Sequence, residues 1–372
     1  MALDCPISLM NQINSVFFSF LRLSLFPTGD SFPKELDSKY LDGILKMADE
    51  QTVSGLIINS ILRNGVQIER KQLLKIYGKL EKIKAVNQRM NSEILTFAQI
   101  MDANRINYTI FKGQTIASLY PDPLLRMPGD IDFFVSSYTD TQFLLFREWN
   151  IKLPDTVIDK EVSFKHGQVL YELHTKILVF QNSDHQRYWE QMIEQSQQSH
   201  VMINGKKIKT FEPNIYAVYV FVHLFFHFIR EGIGLRQMCD WAIILEKYKA
   251  EIDELRLNND LEALGIKTAY TVFGEILTKY LGLKYFPIVR TKKCHISSEK
   301  ILQDILHYGN FGKPSRVNKK NGWKFKMETM SRTFRNCWNY WQLAPTEILL
   351  MIPKLIMLNI RLLIYNFNHD IS

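Results

Sequence analysis

Cysteine is scarce in this chain, four in 372 residues (Cys5, Cys239, Cys294, Cys337), and no two form a CxxC pair. That excludes the spacing of a structural zinc site and the framework of a disulfide-stapled domain, and makes a reducing cytoplasm the simplest compartment. No segment repeats, and no tract is of low complexity. Uninterrupted apolar runs are lacking too. The 16–26 patch, with FFSFLRLSLF, is broken by Arg22 and has neither a basic stretch before it nor a small-residue cleavage site, so it does not read as a signal peptide. The run EILLMIPKLIMLNIRLLIYNF (347–367) is interrupted by Pro353 and carries Lys354 and Arg361 seven residues apart, on one helical face. A membrane span wants about 20 residues with few charges. A packed amphipathic helix is expected here, with contact to an anionic membrane surface as the alternative.

What is present is ordinary core material. Apolar residues make up 46% and charged residues 23%, enough for about two or three domains. The net charge of +8 and pI of about 9.1 suit a polyanionic partner. They leave nucleotide, nucleic acid and acidic lipid all open. Much of the surplus lies late, in Lys292–Lys293, Lys313 to Lys326, Arg332 and Arg335, where a solvated basic face explains it as well as binding does.

Three textures follow one another along the chain. Residues 1–104 show apolar groups at three- and four-residue spacing, and the 70–104 stretch reads as one long helix or two abutting ones. Residues 105–212 mix strand-like runs (INYTIF, IDFFVS, VSFKHG, QVLYELHTKI) with short helical ones, and end in a hairpin turning at Asn204-Gly205. Residues 213–372 return to helices, broken by REGIG and by a basic glycine-rich loop at 307–322. The fold class is therefore α+β, a small mixed sheet between N-terminal and C-terminal helical regions.

The run LLRMPGDIDFFV holds the chemistry. Residues i and i+2 of a strand share a face, so Asp130 and Asp132 present two carboxylates together while Ile131 and Phe133 point into the core. Such like charges repel unless a cation joins them, and Mg²⁺ suits hard oxygen ligands left partly open to phosphate. Pro128 and Gly129 occupy the places a type II turn prefers, which would fix the corner before Asp130. Upstream, Lys112 and Gly113 end a strand where a helix start would cradle phosphate, with Gln114 next in line. Arg126 offers a forked donor to phosphate. Downstream, Glu172 is a lone acid in an apolar strand and a natural third carboxylate. Together these groups suit two-metal phosphoryl or nucleotidyl transfer.

The segment YTIFKGQTIASLYPDPLLRMPGDIDFFV resembles the signature of a bacterial nucleotidyltransferase family within the DNA polymerase β-like superfamily. Lys112, Gly113, Tyr120, Pro121, Arg126, Gly129, Asp130 and Asp132 carry the likeness. YELHTKI resembles that family's later acid-Leu-His stretch, with Glu172 and His174, and HLFFHFIREGIGLRQMCDW its helical region, with His223, His227, Arg236 and Asp240. The wider superfamily has Gly-Ser or Gly-Gly after its first strand and a shorter gap to the acids. Here Gly113-Gln114 is followed by fifteen residues before Asp130. The resemblance implies a nucleotidyltransferase core, an NTP donor and Mg²⁺, with Asp130, Asp132 and Glu172 as metal ligands, and it leaves the acceptor open.

Other polar groups have plainer explanations. His223 and His227 stand i,i+4 without the glutamate of an HExxH site, so packing roles are expected. Arg236 and Asp240 are also i,i+4, suited either to an intrahelical ion pair or to substrate. His174 shares Glu172's strand face and is a candidate to orient acceptor or phosphate. GNFGK (309–313) lacks Walker spacing, which leaves Lys313 a lesser phosphate candidate. The expected activity is Mg²⁺-dependent NMP transfer in the cytoplasm. The alternatives are a nucleotide-binding protein without turnover, and a protein at the membrane periphery serving polysaccharide or lipid-linked assembly.

Overall fold

Four helices lead the chain, α1 (Pro6–Leu25), α2 (Ser38–Glu50), α3 (Ser54–Arg63) and α4 (Arg70–Ala103). The mixed region follows with β1 (Tyr108–Ile110), α5 (Gln114–Ala117), β2 (Ile131–Val135), α6 (Tyr138–Trp149), β3 (Glu161–His166), β4 (Val169–His174), α7 (Ser183–Gln195), β5 (Gln198–Ile203) and β6 (Lys206–Phe211). Helices α8 (Pro213–Arg230), α9 (Leu235–Lys247), α10 (Glu254–Ala263), α11 (Lys267–Lys279), α12 (Ser298–Tyr308), α13 (Trp323–Tyr340) and α14 (Pro345–His369) complete it. This computed structural model describes residues 6–26, 29–157, 160–287, 294–312 and 323–369. Lys292, Lys293 and Lys313 lie outside the described residues.

The molecule is a mixed α+β protein. Its four-stranded sheet has the order β1-β2-β4-β3, with β2 and β4 parallel and the outer pairs antiparallel. β5 and β6 form a separate hairpin, and Asn204 and Gly205 at its tip both take positive φ (46° and 80°), as a two-residue primed turn requires.

Alternation along the strands divides the sheet between two cores. Ile131, Phe133 and Val135 of β2, with Val169, Tyr171 and Leu173 of β4, bury against Met90, Ile94, Phe97 and Met101 of α4. Phe97 and Phe133 meet at 4.6 Å between ring centroids. The alternate residues (Asp132, and Glu172 with His174) face the other way, towards α8. There a larger core joins helices from both ends of the chain, including Phe17, Leu41 and Ile57 with Phe221, Trp241 and Ile301. Helix α4 serves both cores, since Ile76 and Leu80 belong to the second. Between them its buried Asn87 donates to the carbonyls of Leu124 (2.8 Å) and Arg126 (2.9 Å), and so holds the segment that leads into β2.

The corner before β2 is not the type II turn expected. Gly129 lacks the positive φ that such a turn needs at its third residue. Instead Arg236 Nη1 donates to the carbonyls of Met127 (3.3 Å) and Pro128 (3.4 Å) and ties the segment to α9.

Candidate active site

A cleft of about 540 Å³ lies between the polar face of the sheet and helices α8 and α9. Asp130, Asp132, Glu172, Lys112, Gly113, Arg126, Gly129, Arg236 and Asp240 all line it, with Lys160, Glu161, His223, His227 and Phe311 among the others. The parallel register sets Asp132 opposite Glu172 and Phe134 opposite His174. Neighbouring positions of paired strands project to the same side, so two acids and an imidazole meet there. One donor atom each from Asp132, Glu172 and His174 lies within 4.8 Å of the others. Asp130, just ahead of β2, lines the same cleft but is not one of that converging set.

Asp132 is fully buried, and its two oxygens differ. Oδ1 accepts from Lys112 Nζ (2.6 Å) and lies 2.9 Å from His174 Nε2. Oδ2 is buried with no partner. Burial alone would raise this carboxyl's pKa, but the Lys112 ammonium and His174 hold it well below the ordinary range. Glu172 goes the other way. Burial, reinforced by the charges of Asp132 and Asp130, pushes its pKa up to about 8. Asp130 is also raised, by burial and then by Asp132.

This asymmetry has a measurable consequence. A carboxyl whose pKa is raised on folding binds more protons folded than unfolded, so metal-free stability should fall as pH rises from about 5 to about 8. A divalent cation competes with that proton. Stabilisation by Mg²⁺ or Mn²⁺ in thermal melts should therefore grow across the same window. A metal effect flat with pH would separate Glu172 from the ion.

The basic groups are arranged differently from the sequence expectation. Lys112 is held by Asp132 and donates to His223 Nε2 (3.2 Å), so it faces the acids as a built-in counter-charge. His223 is a neutral acceptor, its pKa lowered by burial and by Lys112. Arg126 is not free for phosphate. Its Nε and Nη2 donate to the two oxygens of Asp240 (2.7 and 2.8 Å), and Nη1 donates to the carbonyl of Met127. Tyr120 adds its hydroxyl to the same carboxylate at 2.7 Å. Asp240 therefore pairs across elements, and the intrahelical Arg236–Asp240 pair does not form. Arg236 is left as the guanidinium facing the cleft, with Nε buried and unpartnered and Nη1 on the two carbonyls before Gly129.

Gln114 turns its side chain away, donating to Asn91 Oδ1 (2.7 Å), and does not line the cleft. Gly113 takes φ 60°, and a Cβ there would lie 2.7 Å from the carbonyl of Asp130. Only glycine lets the β1–α5 turn press against the acidic corner. His223 and His227 line the cleft with ring centroids 4.4 Å apart, and neither joins a three-donor cluster among the described residues. The placement of His174 beside Glu172 was available from their i+2 spacing, but it suggested a group orienting acceptor or phosphate, not a third donor beside the two acids. Glu161, whose Oε2 is 3.5 Å from His174 Nδ1, gave no comparable signal.

Paired acids on adjacent parallel strands thus face basic side chains across one cleft. The chain belongs to the uncharacterised nucleotidyltransferase family, whose profile matches residues 37–282. Among solved structures, an antigenic nucleotidyltransferase-like protein from Paracoccidioides brasiliensis is similar at 16% identity. The match covers 55% of this chain and 94% of that one, with a TM-score of 0.31. No curated protein matches.

Proposed function

We propose that this protein is a metal-dependent nucleotidyltransferase of the DNA polymerase β-like superfamily. It moves a nucleoside monophosphate from an NTP to a hydroxyl, phosphate or amine acceptor and releases pyrophosphate. The observation that carries this reading is the Asp132–Glu172 register on parallel strands, with His174 beside it.

The donor set fits a divalent cation. A buried carboxylate oxygen without a partner and a glutamate carboxyl raised to about 8 show that Lys112 alone does not offset the charge of the acids gathered here. Asp132, Glu172 and His174 would hold the ion, and Asp130 would assist with a second. Mg²⁺ is the first choice for the carboxylate oxygens. When bound, such an ion neutralises charge on the transferring phosphoryl group and its leaving pyrophosphate.

The remaining work falls to the chain. Arg236 binds triphosphate oxygens, Gly113 admits close approach of the backbone, and Lys112 keeps Asp132 ionised. Arg126 and Asp240 fix the corner that carries Asp130. Proton removal from the acceptor falls to Glu172 rather than to Asp132, whose lowered pKa makes it the weaker base.

Incubation of a cell lysate with each α-labelled NTP and Mg²⁺ tests the transfer, by finding which molecule acquires label. Arg236→Gln should weaken NTP-dependent thermal stabilisation roughly 10- to 100-fold in affinity, the range of a charge-assisted hydrogen bond of about 1.5–3 kcal/mol. Metal-only stabilisation should persist in that variant. A wild-type protein that neither labels an acceptor nor gains stability from Mg²⁺ and NTP would end this reading. Lys112 at 2.6 Å from Asp132 favours one rival, a nucleotide-binding protein in which the lysine stands where a cation would. Stabilisation without labelling would select it.

A further inference from the structure

Helix α14 is apolar on two sides. Ile348 and Met351 are buried, and Ile352 packs against the same core. Leu349, Leu350, Ile356 and Met357 are nevertheless exposed, by 51, 41, 46 and 56%. Their spacing puts them on one outward face. Trp338 on α13 is 82% exposed, and Trp341, just before α14, 43%. The helix start is firmly docked. Fully buried Glu347 accepts from the backbone N–H groups of Gln181 (2.6 Å) and Asn182 (3.1 Å) and lies 2.6 Å from His185 Nδ1. A helix apolar on two faces is one whose second face also has something to cover it.

We infer that this outward face lies on an anionic lipid surface, independently of the transferase reading. Lys354 is exposed four residues after Leu350 and three before Met357, and so sits at the edge of the face. At a bilayer its stem lies along apolar surface while the ammonium reaches lipid phosphate, and exposed tryptophans suit the same boundary. The sequence leading into α13, KPSRVNKKNGWKFK (313–326), is basic and has no acid. A basic, acid-free stretch in the same chain as an apolar surface helix supplies charge that anionic headgroups attract. No helix among the described residues is long and apolar enough to cross a membrane, so α14 would lie along the surface.

Flotation of the full chain with phosphatidylcholine vesicles, with and without phosphatidylglycerol, tests this. Binding should require the anionic lipid and fall as salt rises. The double variant Leu350→Ser/Ile356→Ser should bind at least about tenfold more weakly, equivalent to about 1.4 kcal/mol. Trp338→Ala should weaken binding in the same direction. All three side chains are exposed, so unchanged thermal melts would certify the fold. Three results would overturn the inference: no flotation of the wild type, equal flotation of the variants, or a salt-independent preference for neutral lipid. A concentration-dependent dimer that the double variant abolishes, without flotation, would assign the face to a second copy of the chain.

Discussion

Asp132→Asn should lower nucleotidyl transfer about a thousandfold or more, the loss expected when roughly 4 kcal/mol of transition-state charge stabilisation is removed. The substitution is nearly isosteric, and the side chain lies at the centre of the converging donors. Stability should respond in a way that Lys112 decides. Repulsion between Asp130 and Asp132 alone would make the amide variant more stable without metal. The fold instead holds the Asp132 carboxyl well below its ordinary pKa, because Lys112 and His174 outweigh burial. Its ionised form is therefore favoured by folding, and the variant should melt lower without metal. Glu172 should relax towards an ordinary carboxylate, since Asp132 is one source of its raised pKa. Metal-dependent stabilisation should shrink, because a ligand of the native state stabilises in proportion to its affinity. The labelled-NTP assay beside melts with and without Mg²⁺ measures all of this. A variant that labels acceptor at the wild-type rate would reduce Asp132 to a structural residue.

The local pattern made much of this site legible. Period-two alternation in IDFFV and VLYELH placed Asp132 and Glu172 on polar strand faces, and the structure sets them side by side. The long helix before β1 was equally plain, because apolar spacing continues from Arg70 to Ala103. Helix α7 was not, since only Trp189 and Met192 of it are buried and nearly all its other residues are polar. Pairings between distant elements were also hidden. Arg126 and Asp240 are far apart in sequence, and nothing near either one signals the other. An i,i+4 spacing made Arg236 the nearer candidate for Asp240, yet Arg236 finds the carbonyls of Met127 and Pro128. Period and turn chemistry are local, whereas the partner of a buried charge is set by tertiary packing. The Met127–Asp130 corner fails for the same reason, because a guanidinium from α9 overrides the turn its residues prefer.

Asp240→Ala should cost about 3–5 kcal/mol of stability, the range for removing one partner of a buried ion pair. Arg126 and Asp240 have side chains only 6% exposed. Loss of the carboxylate would leave the guanidinium Nε and Nη2 unpaired and free the Tyr120 hydroxyl from its acceptor. The damage should reach the site, since the segment that follows Arg126 carries Asp130. Asn87 would still hold the Arg126 carbonyl, so the corner should loosen rather than unfold. Activity should therefore fall by more than the folded fraction explains. The double variant Arg126→Met/Asp240→Leu separates the two effects. With both charges gone it should regain most of the lost stability, because well-packed apolar residues often replace a buried pair at little cost. Denaturant melts of the three proteins, with labelling rates corrected for folded fraction, provide the measurement. A loss below about 1 kcal/mol for Asp240→Ala is what a solvated surface pair would give. It would mean that water reaches the pair and that Asn87 alone anchors the approach to β2.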